Sequence, residues 1–195
     1  RLNDNAHVFA AGSRIRVALS TALWPILWPS PEAVTLTVYA GASSLDLPVR
    51  PPRPEDDQLA PLLPAEMSRV HDRTLLRTPA PPVLRIETDI GSGLVSVLDE
   101  EDGGTVRIDR DGWTFAGRIT RRYQIHPDDP TSARMEQTSV DEFGRDGELA
   151  VTIEAYQLMT CDAGNFHVHA RLEATENGKP VYSRSWLETI PRDGV

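Results

Sequence analysis

The sequence predicts an all-β protein, and three patterns carry that prediction. From Val83 onward, short apolar-alternating runs are punctuated by Gly, Asn-Gly and Asp-Gly turns. Nearer the N-terminus, Ile15, Val17 and Leu19 alternate with Arg14, Arg16 and Ala18, and Val34 to Tyr39 repeats the period of two. Between Pro48 and Pro82, nine prolines exclude long helices.

Taken in order, Arg1 to Leu47 reads as strands. The strands at 12–20 and 34–39 are joined by Ser20 to Glu32, which holds Trp24, Trp28 and three prolines. Proline cannot donate to a sheet ladder, so this connection leaves the sheet at Pro25. Large aromatic side chains left in water forgo the burial that favours folding, so Trp24 and Trp28 must cover something. Two covers are open: the chain's own core, or a separate domain. The second makes Leu23, Trp24, Ile26, Leu27 and Trp28 an apolar interface patch and gives the chain a means of homo-oligomerisation. Residues 51–82 read as a Pro-rich linker of extended backbone, with one short helix at 64–69, where Pro64 would occupy the first turn.

Residues 83–195 read as an antiparallel meander of about seven or eight strands. Runs at 83–88, 94–99 and 105–108 are separated by Gly91-Ser92-Gly93 and by Asp102-Gly103, the latter a hairpin signal. A long strand from Trp113 to Ile125 follows the Asp111-Gly112 turn. Residues 133–143 pair with 149–160 across Gly144 to Gly147, and 166–176 pair with 181–189 across Asn177-Gly178. Phe166, Val168, Ala170, Leu172 and Ala174 share an apolar face; His167, His169, Arg171, Glu173 and Thr175 share a wet one.

Composition narrows the function classes. A net charge of −9 opposes a nucleic-acid partner, because phosphate binding needs clustered Lys and Arg. No apolar run approaches the roughly 20 residues a membrane span needs. Cys161 is the only cysteine, so no intrachain disulfide forms, which fits a reducing, cytoplasmic compartment. The start at Arg1, without methionine, is the expectation for a fragment or a processed chain.

No catalytic residue is nominated. Gly-x-Ser-x-Gly is missing from the sequence; Gly41-Ala42-Ser43-Ser44-Leu45 lacks the second glycine. Gly91 to Ser96 begins like a dinucleotide fingerprint but reads as a turn. No metal or cofactor is expected either. His167 and His169 share a strand face, yet a zinc site needs a third ligand from a neighbouring strand. Asp109-Arg110-Asp111-Gly112 lacks the later ligands of a calcium loop. Asp128 and Asp129 are matched to Arg121, Arg122 or Arg134 rather than to acid–base work. Asp162 beside Cys161 would raise the thiol pKa, which opposes a reactive nucleophile.

One resemblance adds to this reading. Phe9 to Asp56, with Gly12-x-Arg14-Ile15-Arg16, Ser20-Thr21-x-x-Trp24-Pro25 and the run from Pro48 to Asp56, resembles the C-terminal domain of CocE/NonD-family serine hydrolases. This is the X-Pro dipeptidyl-peptidase C-terminal domain. Tyr123 to Pro130, Leu158 to Asp162 and Ile190 to Asp193 resemble a further C-terminal segment of a bacterial subgroup. The resemblance implies a partial β jelly-roll sandwich over residues 1–50, ahead of the meander. It also implies a partner: the hydrolase catalytic domain of a parent chain, holding a Ser-Asp-His triad. On that reading this chain is a non-catalytic accessory region of an enzyme acting on ester or peptide bonds. A free-standing β-rich ligand-binding or assembly module is the alternative.

Overall fold

In the computed structural model, which describes residues 6–32, 34–61, 63–67 and 71–193, the chain is all-β. Eight strands form one antiparallel sheet: β1 (Arg73–Arg77), β2 (Val83–Thr88), β3 (Val95–Ile108), β4 (Trp113–His126), β5 (Asp129–Arg145), β6 (Leu149–Cys161), β7 (Asn165–Glu176) and β8 (Lys179–Pro191). From β3 to β8 each strand pairs with the next, while β1 and β2 share the outer edge of β3.

The meander follows from local turn chemistry. Asn177 and Gly178 both adopt positive φ (50° and 75°), the backbone of a two-residue hairpin, and Glu176 pairs with Lys179 across them. Gly112 and Gly147, both at φ 75°, serve the β3–β4 and β5–β6 turns. Gly93 closes the β2–β3 turn, where Asp89 accepts hydrogen bonds from the Ser92 amide (2.6 Å) and hydroxyl (2.7 Å).

Asp102-Gly103 does not reverse the chain. β3 continues from Val95 to Ile108, and its register with β4 shifts between Asp102 and Thr105. This is a β-bulge, and the crossing from β1 to β2 passes over it. Gly104 has φ 71°, and a Cβ there would overlap the Arg77 carbonyl oxygen and lie 2.8 Å from Pro79 N. Asp102 fixes the spot, accepting from the Gly104 amide at 2.8 Å and from both terminal nitrogens of Arg77 at 2.6 and 2.8 Å.

Register assigns the two faces. Ile86, Val97, Tyr123, Met135, Met159 and Val168 lie in one row across the sheet. Phe166, Ala170, Leu172 and Ala174 share that face, as expected for the apolar side of β7. The opposite face carries Glu136, bonded by Arg134 (3.0 Å) and the Tyr156 hydroxyl (3.0 Å), and His169 edge-on to Tyr156. Strands β3 to β7 are mostly half-buried and β8 is mostly exposed; among the described residues the buried apolar side chains are Leu98, Ala133 and the loop's Pro29.

The N-terminal expectations need correction. Residues 12–20 and 34–39 form no strand, and their alternating apolar side chains are exposed. Alternation makes a residue fit for a sheet, but a ladder also needs a neighbouring backbone, and none lies beside these segments among the described residues. The jelly-roll expectation for 1–50 thus has no strand beneath it among the described residues. The stretch read as linker, 51–82, contains β1, whose backbone is satisfied by the far half of β3. No helix forms at 64–67, and the remainder of that expected helix lies outside the described residues. A 3-10 helix stands instead at Pro54–Gln58, where Asp56 accepts from the Arg53 amide at 3.0 Å and pairs with Arg50. Among the described residues no helix is long and apolar enough to cross a membrane.

Candidate interaction site at the tryptophan loop

Residues 20–31 run across one end of the apolar face. Ser20 starts the loop by bonding its hydroxyl to the Ala22 carbonyl (2.6 Å), and the Leu27 amide closes a turn on the Leu23 carbonyl (2.9 Å). The Trp24–Pro25 bond is cis. Across the Leu23–Leu27 turn, Trp24 and Trp28 are half-buried while Leu23, Ile26 and Leu27 are exposed.

Trp24 and Trp28 turn inward. They meet edge to face, with centroids 5.0 Å apart and planes at 89°. Trp24 sits edge-on to Tyr123 of β4 at 6.1 Å, and Trp28 edge-on to Phe166 of β7 at 5.6 Å. Such contacts set the positive ring edge against the negative ring face, adding to the burial of both rings. The Trp28 indole N–H donates to the Cys161 sulfur at 3.1 Å. Among the described residues the buried Trp24 indole nitrogen has no hydrogen-bond partner.

Arg192, just past β8, locks the loop from the other side. Its guanidinium donates to the Pro29 carbonyl and to the Asp162 carbonyl (3.2 Å) and lies 4.7 Å from the Phe166 ring centroid. Its amide donates to Gly164 O at 2.9 Å. Asp162 in turn organises the β6–β7 turn. Its carboxylate accepts from the Gly164 (2.7 Å) and Asn165 (2.8 Å) amides and from His167 Nε2 (2.8 Å). The Gly164 amide first, then His167 and the Asn165 amide, favour the ionised form and hold the carboxyl at about 2.

The five residues expected at an interface therefore divide. Trp24 and Trp28 are packed on the chain's own sheet. Leu23, Ile26 and Leu27 remain outside, at 51%, 76% and 60% exposure. Arg192, Tyr123, Phe166 and Cys161 complete the site, and sequence reasoning did not assign them to it. Tyr123, Cys161 and Arg192 did fall inside the segments that carry the family resemblance.

The other candidates take structural roles. Ser43 donates its hydroxyl to the Tyr39 carbonyl at 2.8 Å, inside a turn. Asp109 accepts from Thr74 of β1 at 2.8 Å, tying the end of β3 to β1, and the Trp113 amide bonds Asp111 at 3.3 Å inside the β3–β4 turn. Arg121 pairs with Asp99 and Glu101 and Arg134 with Glu136, so the pairings expected for Asp128 and Asp129 are replaced; Asp129 accepts from Thr131. Among the described residues no three His, Cys, Asp or Glu side chains gather with metal-binding spacing. An open depression of about 510 Å³ beside the β5–β6 turn, between Phe115, Phe143 and Arg145, mixes apolar and charged groups without converging donors.

No protein family, no curated protein and no solved structure matches the chain.

Proposed function

We propose that this chain is a non-catalytic β region of a bacterial, cytoplasmic CocE/NonD-like serine hydrolase acting on ester or peptide bonds. In that role it supports the catalytic domain rather than contributing to the chemistry. The observation that carries the reading is the division of the tryptophan loop. Trp24 and Trp28 anchor the loop to the sheet, and the anchored turn presents Leu23, Ile26 and Leu27 outward. A rigidly held apolar patch is the form an interaction surface takes. The segments at 14–19 and 34–38 leave further apolar side chains exposed for a second body to cover. The free thiol of Cys161 suits a reducing compartment.

The test is titration of this chain into a CocE/NonD-type catalytic domain prepared without its own C-terminal β region. A one-to-one complex that raises the melting temperature of the catalytic domain is expected, weakened by L23S/I26S/L27S. Absence of a complex, or a complex indifferent to that triple change, overturns the reading.

A further inference from the structure

The two edges of the sheet differ. On one side, β3 is covered by two short strands with Pro79, Pro81 and Pro82 between them, which breaks the edge into pieces. On the other side lies β8, 13 residues long, and among the described residues no strand pairs with its outer side. Its two prolines, Pro180 and Pro191, stand at its ends. A long edge without internal proline or lysine is a template for another strand.

We infer that β8 pairs antiparallel with β8 of a second copy of this chain, around a two-fold axis at Trp186. Two independent features place the axis. The first is geometry. Register between β7 and β8 shifts between Ala174 and Thr175, leaving Val181 as the extra residue, and Pro191 lacks an N–H. The regular stretch of β8 thus runs from Tyr182 to Ile190, and Trp186 is its midpoint.

The second is charge. With the axis at Trp186, Arg184 stands opposite the partner's Glu188, and Glu188 opposite the partner's Arg184. Tyr182 stands opposite the partner's Ile190, and the two Trp186 side chains face each other. An axis at Ser185 would set Glu188 against Tyr182, and an axis at Leu187 would set it against Trp186. Only the Trp186 axis neutralises both charges by direct cross-strand pairing. The apolar row is also already arranged: Trp186 and Tyr182 pair beside Ala170 and Ala174 of β7, and Arg184 caps the Trp186 ring at 4.8 Å. On the other face Leu187, 78% exposed, becomes a diagonal neighbour of the partner's Leu187.

Sedimentation velocity of the full chain over a concentration series tests this. A reversible dimer is expected. R184E and E188R each set like charges opposite one another twice and raise the dimer Kd about tenfold; the double variant R184E/E188R restores the opposite pairing and recovers the dimer. Amide exchange of the unsubstituted chain gives a second readout, with protection from Tyr182 to Ile190 rising with protein concentration. A monomer throughout, a dimer indifferent to the single changes, no recovery in the double variant, or protection of β8 independent of concentration each overturns the inference.

Discussion

The indole N–H of Trp28 meets the sulfur of Cys161 at 3.1 Å, joining residues 133 apart in sequence. This bond, with the edge-on contacts to Tyr123 and Phe166, makes the N-terminal loop part of the C-terminal sheet. Different substitutions in the loop should therefore have different effects.

Replacing Trp24 and Trp28 with Ser removes two half-buried rings from the sheet and should lower stability by about 3 kcal/mol, less than the loss of two fully buried rings. The triple change L23S/I26S/L27S touches exposed side chains and should stay within about 0.5 kcal/mol of the parent. Urea melts followed by far-ultraviolet circular dichroism compare the two directly; equal effects would mean the indoles do not anchor the loop.

Arg192 should matter more than a typical surface arginine. R192A removes the donors to the Pro29 and Asp162 carbonyls and the stacking on Phe166. A loss of about 2 kcal/mol is expected, since charge-assisted bonds and a cation over a ring act together. R192K keeps the charge but loses the planar fork, so it should recover less than half of the loss.

Gly104 should resist any side chain. G104A meets the Arg77 carbonyl oxygen and the Pro79 ring at positive φ, so a cost above about 2 kcal/mol is expected. At Gly178 the φ is also positive but the space is open, and G178A should cost about 1 kcal/mol. Thermal melts of the pair separate backbone strain from steric overlap.

Acid should weaken the fold through two carboxylates. Arg77, then the Gly104 amide, hold Asp102 at about 2, and Asp162 is also held at about 2. Because the folded values lie below the ordinary 3.8, each group contributes stability that is fully present above that value and is lost as pH falls through 3.8 toward 2. Both groups are solvent-accessible, so added salt should reduce the effect at Asp102. D102N and D162N should each flatten the fall of the denaturation midpoint across that window; a slope unchanged in both would remove these groups as its cause.

The chain alone should not hydrolyse activated esters faster than its denatured form, since its sequence holds no Gly-x-Ser-x-Gly elbow. A saturable rate abolished by a serine-directed fluorophosphonate would contradict this.

Much of the sheet was legible because its turns are local. Asn177-Gly178 demands positive φ and reverses the chain wherever two strands flank it. Asp102-Gly103 carries the same local signal but forms a bulge, because β1 and β2 meet there along the outer edge of β3. Nothing within a few residues of Asp102 contains that information. Ile15, Val17 and Leu19 show the converse: a perfect period of two without a ladder, since pairing needs a second backbone.

The sequence by itself determined the all-β class, the meander order from β4 to β8 and the apolar side of β7. Those properties follow from side-chain alternation and turn sterics, which act over a few residues. Only the tertiary structure decided which side chains of the tryptophan loop face inward. That choice depends on Tyr123, Cys161, Phe166 and Arg192, which converge from separate strands. A loop orients its rings toward whichever apolar surface the folded chain brings within contact distance, and that distance is not written in any local stretch.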